Sequence, residues 1–265
     1  MPDRGAPAWD PAAYLSFADE RARPFADLLG RVGAEHPAVV VDLGCGDGSV
    51  TAKLLRRWPR ARVTGVDSSA SMLAAAAEHA VPGRLEFTRA DVRDWLPDGP
   101  IDVLVSNATL HWVPEHPELL AGWAAAVPPG GWLALQVPGN FRAPSHALLA
   151  QLCRSTRWVA QLADAAPDPD AALPPAGYLD VLTGAGLAAD AWETTYLHVL
   201  TGEDAVLRWV GGTALRPVLA GLDEEAAASF TAEYAAALRE AYPPRDDGTT
   251  VLPFRRVFAV GHRAS

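Results

Sequence analysis

The run VVVDLGCGDGS, residues 39–49, holds the residues whose types and spacing point most clearly to chemistry. β-Branched residues and Asp42 lead into Gly44, Gly46 and Gly48, and a helix-forming stretch follows. Such a pattern describes a buried parallel strand, a glycine-rich turn and a helix N-terminus beyond it. Glycine suits a main chain that takes unusual dihedrals and lets a bulky ligand approach closely. The nicotinamide fingerprint G-x-G-x-x-G requires its third glycine at position 49 for strand–helix packing. Ser49 stands there, so the spacing is G-x-G-x-G behind an aspartate. Asp67, Asp91 and Asn107 close or follow three later strand-like runs, RVTGV, RLEFTRA and IDVLVSN. A lone strand-end Asp is most often a turn former or helix cap. Four polar ends behind one glycine turn instead describe a ligand groove along the carboxyl edge of a parallel sheet.

The elements that must position these residues alternate through the first half. A helix is expected over 14–32, then strand 39–43, helix 49–57 stopped by Pro59, and strand 62–66. Helix 69–78 follows, capped by Ser68 or Ser69, then strands 84–90 and 101–107. Pro117 opens a further helix, PPGG at 128–131 ends it, and strand 132–137 follows. This alternation implies a parallel sheet with right-handed crossovers. The second half breaks the rhythm. An amphipathic helix is expected over 144–163, then the loop ADAAPDPDAALPPAG, which no regular element tolerates. A short helix over 178–184, the alternating strand ETTYLHVL, helices 203–211 and 223–242, and a terminal strand FRRVFAVGH complete the chain.

A length of 265 residues suits one large α/β domain with insertions. Net charge of −10 argues against a nucleic-acid partner, which needs a basic face. A small anionic substrate needs only two or three local arginines. Cys45 and Cys153 cannot form a disulfide framework, and Cys45 lies inside the glycine turn, so a reducing, cytoplasmic setting is expected. MPDRGAPAWD lacks the apolar core of a signal peptide, and no segment reaches ~18 consecutive apolar residues, so neither export nor a membrane is expected. No Cys/His cluster has metal-ligand spacing. A monomer or weak homodimer is expected.

The G-x-G-x-G turn behind Asp42 resembles the cofactor loop of S-adenosylmethionine (SAM) dependent methyltransferases. That resemblance implies a seven-stranded Rossmann-like α/β sheet with its last strand antiparallel. It implies one domain over 1–265, with helical lid insertions at 143–177 and 201–245. SAM is the implied cofactor. Gly44 and Gly46 would meet its methionine portion, and Asp42 would organise the loop or reach the ammonium group through water. Asp67, beside Ser68, would accept the ribose hydroxyls. Met72, Asp91 and Val92 would border adenine, and Asn107 would hold the ammonium group.

Four longer runs, WDPAAYLSFADERARPFADLL, SNATLHWVPEHPELL, VPGNFRAPSH and LPFRRVFAV, resemble the trans-aconitate 2-methyltransferase family. The likeness extends from Trp9 to Arg263. It implies methyl transfer from SAM to one carboxylate of trans-aconitate or a similar small polycarboxylic acid, giving a monomethyl ester. A carboxylate is ionised at neutral pH and needs no general base. It needs alignment, and neutralisation of the carboxylates that do not react, for which arginine is suited. Candidate substrate residues are Tyr14, Trp112, Arg142, Arg216 and Tyr242, with Trp209 as a further wall. Arg255 and Arg256 alternate on the last strand, so one of them faces the pocket, and Arg255 is the candidate. His111 is the candidate catalytic residue. It is a hydrogen-bond donor to a substrate carboxylate, a general base if the acceptor is a phenol or amine, or a structural residue orienting Trp112. Other readings are an O- or N-methyltransferase of another small molecule, and a SAM-binding protein or cyclase that transfers no methyl group.

Overall fold

The structure is a computed structural model and describes residues 18–265. Its strands are β1 (Val39–Leu43), β2 (Arg62–Asp67), β3 (Leu85–Arg89), β4 (Val103–Asn107), β5 (Trp132–Pro138), β6 (Ala188–Thr201) and β7 (Thr249–His262). They form one sheet in the order β3-β2-β1-β4-β5-β7-β6. β1 to β5 are parallel, and β7 runs antiparallel to both β5 and β6. β1 and β4 are short apolar runs, VVVDL and VLVSN, because helices cover both faces of the sheet's centre.

Each face carries its own core. Leu43, Leu104 and Leu133 pack with Leu120 and Trp123 of α4 (His116–Ala126) and Tyr178 and Leu182 of α7 (Pro175–Gly184). Val40, Val63 and Val105 pack on the other face with Phe25 and Leu28 of α1 (Ala18–Leu29) and with Leu54 of α2 (Leu54–Arg57). α3 (Ala70–Ala76) begins at Ser69, whose side chain caps the Met72 amide.

A third core lies among the helices that follow β5 and β6 in the chain. Leu149 of α5 (Pro144–Cys153) and Leu162 of α6 (Val159–Leu162) join Trp209 of α8 (Ala205–Gly211) and Val218 of α9 (Leu215–Leu219). Phe230 and Tyr234 of α10 (Glu224–Ala241) complete it, together with Leu200 and Leu252 from the last two strands. β6 and β7 pair over 14 residues each, but β5 follows β7 only to Pro138 opposite Arg256. Past that point the two-stranded ribbon leaves the sheet and packs against these helices through Leu200, Leu252 and Phe254.

Several elements differ from expectation. The single helix expected over 144–163 is two, because the chain turns after Cys153. That turn lets Trp158 pack edge-on against Phe230 at 5.4 Å while Leu149 stays buried. The last two strands are longer than expected, since a ribbon paired along its whole length needs no apolar run to persist. The short helix α9 was not expected. The part of the 14–32 helix before residue 18 lies outside the described residues.

His116 ties α4 to α7. Its Nδ1 donates to the Val113 carbonyl at 2.8 Å, so Nε2 is the acceptor of the Tyr178 hydroxyl at 3.0 Å. The same hydroxyl oxygen accepts the Leu173 amide at 3.4 Å. Tyr178→Phe should therefore strip a partner from buried His116 and from the part-buried Leu173 amide and cost about 1–3 kcal/mol. Urea denaturation should show a lower midpoint with an unchanged slope.

Candidate active site

The glycine turn is clamped from both sides. The Gly44 and Cys45 amides both donate to the Val66 carbonyl, at 2.7 and 3.0 Å. The Gly46 amide donates to Asp67 Oδ2 at 2.9 Å, and the Ser69 amide donates to Oδ1 at 2.8 Å. From the β4 side, the Thr109 hydroxyl donates to the Gly44 carbonyl at 3.1 Å. Gly44, Gly46 and Gly48 have φ of +78°, +56° and +75°, a region costly for residues with a Cβ. Their surroundings differ. A Cβ on Gly44 would lie 2.0 Å from Thr109 Oγ1, and one on Gly48 2.6 Å from Phe87. A Cβ on Gly46 would meet nothing within 4 Å, so space stands open above that backbone.

The other predicted cofactor residues gather along the same edge. Asp42 is buried, and its Oδ2 accepts the Thr51 hydroxyl at 2.6 Å while Oδ1 has no partner among the described residues. Burial pushes its pKa up to about 6. Met72 and Val92 are buried, and Ser68 is exposed. Asp91 accepts the Arg93 amide at 2.9 Å, the turn-forming role of a strand-end aspartate. Asn107 Oδ1 is buried with no partner among the described residues. An unpaired buried acceptor at a strand's carboxyl end suits a cationic group.

Asn107 also opens a cavity of about 260 Å³ beside the groove. His111, His146, Arg256, Trp112, Phe141 and Trp209 are among the residues that line it. Ala108, at φ +55°, turns the chain at its edge. Arg256 is 4% exposed, and its Nη1 donates to Gln136 Oε1 at 3.2 Å. The His111 ring has the tilted rings of Trp112 and Phe141 beside it, at 4.8 and 5.7 Å. Its burial, reinforced by the Arg256 charge, lowers its pKa to about 3. His146 is lowered to about 4 by burial. The Asn140 amide nitrogen donates to its Nδ1 at 3.1 Å, so Nε2 carries the ring proton. Two neutral imidazoles and one guanidinium thus face the same space.

Several expected substrate residues stand elsewhere. Arg142 points outward and pairs with Asp170 at 2.5 Å. Arg255 donates to the Gly139 carbonyl at 2.7 Å and to Glu193 at 3.1 Å. Strand parity puts Arg256, not Arg255, in the cavity, because it shares a face with Phe254. Tyr242 accepts the Ser145 amide at 3.0 Å and holds α10 to α5, outside the cavity lining. Arg216 is half-buried on α9, between Ala214 and Pro217, which do line the cavity. Tyr14 lies outside the described residues. His146 went unforeseen, although it closes the PGNFRAPSH run; its distance from any strand end hid it.

Comparison with known proteins agrees with this geometry. Residues 40–131 match the family described as a methyltransferase domain. Trans-aconitate 2-methyltransferase of Streptomyces avermitilis is 57% identical, covering 97% of each chain. That of Mycolicibacterium gilvum is 53% identical over 95% of this chain and 98% of its own. The chain belongs to the trans-aconitate 2-methyltransferase family. It is a SAM-dependent methyltransferase. Among solved structures, Haemonchus contortus phosphoethanolamine N-methyltransferase 2 with S-adenosyl-L-methionine has a TM-score of 0.56 at 15% identity, covering 96% of this chain and 56% of that one. The cyclase SpnF also reaches 0.56, at 16% identity, covering 92% and 81%. These share the fold, and a fold common to a methyltransferase and a cyclase does not choose between them.

The glycine environments separate two roles. Gly44→Ala should lower the melting temperature and abolish SAM binding, since its Cβ collides with Thr109. Gly46→Ala should fold with a loss of about 1–2 kcal/mol, yet bind SAM at least ten-fold more weakly. Calorimetry and thermal melts on both variants check this.

Proposed function

We propose that this chain transfers the methyl group of SAM to one carboxylate of trans-aconitate or a similar small polycarboxylic acid, giving a monomethyl ester. Buried Arg256, facing a cavity with two neutral histidines, is the observation that carries the reading. The family's name supplies the acceptor.

The cofactor groove fits SAM by its open Gly46 backbone and the unpaired Asn107 Oδ1. Gly44 and Gly46 would border the methionine portion and Asn107 the ammonium group. Asp67 uses two acceptor positions on Gly46 and Ser69, leaving two for the ribose hydroxyls. Met72, Asp91 and Val92 would border adenine, and Asp42, held by Thr51, would brace the turn. When bound, SAM supplies an electrophilic methyl on a sulfonium, and a carboxylate accepts it without any proton to move.

Arg256 neutralises a carboxylate with a fork that Gln136 helps orient. His146 offers its Nε2 proton to a second carboxylate oxygen. His111 gives shape and, as a neutral ring, a further hydrogen bond. A phenol or amine acceptor would need His111 as a base, and a ring with a pKa of about 3 is a poor one. A small-molecule partner and a reducing cytoplasm fit a chain of net charge −10 with two buried free thiols. Among the described residues, no helix is long and apolar enough to cross a membrane.

Two measurements follow. Arg256→Met should raise KM for trans-aconitate at least 30-fold and leave SAM affinity unchanged, whereas Arg142→Ala should change neither beyond about two-fold. Equal effects of the two substitutions would sink the placement of the anion site. The rate should also be flat from about pH 7 to 9, above the Asp42 pKa of about 6. The lowered histidine pKa values disfavour the charged rings, so neither titrates above about pH 4, and the acceptor is already ionised. A rise near pH 6.5 that His111→Asn removes would favour a base-dependent acceptor.

A further inference from the structure

The cavity is divided by polarity. Its polar members, Asn107, His111, His146 and Arg256, come from the end of β4, the turn after it, the first turn of α5 and β7. Its apolar members, Trp209, Val210, Ala214 and Pro217, come from α8, α9 and the turn between them, with Phe254 on the ribbon beside them, and the one hydroxyl on that side, Thr213, donates to the Val210 carbonyl at 3.5 Å. This wall is built and not merely exposed. Trp209 stacks on His198 with ring centroids 4.4 Å apart and packs against Phe254 at 5.5 Å. Trp209 is 3% and Val210 1% exposed. The ionisable group that joins the lining from the Ala163–Pro174 side is Asp168, an exposed carboxylate of the same sign as the acceptor.

An acceptor with charge at every position is a poor match to such a wall. A carboxylate laid on the faces of Trp209, Val210 and Pro217, or beside Asp168, loses water and meets no charged donor there. An alkyl group in the same place gains about four-fold in affinity for each methylene it buries.

We infer that the enzyme also methylates dicarboxylic acids bearing an alkyl arm, with a carboxylate at the sheet end and the arm against α8 and α9. This rests on the carboxylate reading above and extends its substrate class. The step is the same: the ester C–O bond forms as the methyl–sulfur bond breaks, the sulfonium becomes a thioether, and no proton is released. The apolar wall also favours the step itself, because an anion and a cation merge into two neutral products.

The test is a chain-length series with the wild-type protein and SAM: succinate, then methyl-, propyl- and pentylsuccinate, with trans-aconitate alongside. Methyl ester is quantified by mass spectrometry. The expected kcat/KM rises two- to four-fold per methylene until the arm fills the cavity, and Ala214→Phe moves the plateau to a shorter arm. Thermal melts confirm that the variant is folded. A flat or falling series with trans-aconitate esterified overturns this inference and leaves the proposed function standing. A series that rises identically in Ala214→Phe also overturns it, because the arm then lies elsewhere. No ester from any acid overturns the carboxylate reading and this inference with it.

Discussion

The site depends on a main chain that must turn back at the carboxyl end of β1 without leaving its amides unpaired. The Val66 carbonyl takes two of them, and the Asp67 carboxylate takes a third. Both acceptors belong to the end of β2, so the turn can form only after β1 and β2 are in register, Leu43 beside Val66. Thr109 closes the turn from β4. Three strands therefore share the work of holding one loop, which is why a parallel sheet presents its ligands at this edge. The left-handed glycines are the means, and open space above Gly46 is the result.

Electrostatics links this groove to the cavity beside it. Burial keeps His111 and His146 neutral, so the charge they would otherwise add does not compete with Arg256 for an anion. Burial of that guanidinium, 4% exposed, strengthens its attraction for a carboxylate. It also favours a reaction that consumes opposite charges, since the transition state carries less charge than the reactants. One environment thus contributes to binding and to rate.

The third core makes this setting possible. α5 and α8 to α10 bury Leu149, Trp209, Phe230 and Tyr234 against one another and against the ribbon. Tyr234 donates to the Ser145 carbonyl at 2.6 Å and Tyr242 accepts the Ser145 amide. α5 is thereby held where its His146 reaches the cavity. These contacts join residues 89 and 97 positions apart, and no local pattern announces them.

The extent of β1 was legible because three β-branched residues before a glycine turn leave little choice of structure. Gly44, Gly46, Asp67 and Asn107 were legible for a related reason: a strand's last residue lies at the sheet edge wherever its neighbours go. Longer runs made the family legible too. The arginines were not. Arg142 follows β5 closely in sequence, yet it pairs with Asp170 in the solvent. Helix 144–163 read as continuous because its apolar spacing persists, although Trp158 can be buried only if the chain turns. By itself, the sequence determined the strands, the glycine turn and the family, all of which follow from residues near one another. Only the tertiary structure decided that Arg256 and not Arg255 meets the cavity, and that His146 joins it. A strand's two faces are equivalent until something packs on one of them, and here the covering helices come from distant parts of the chain.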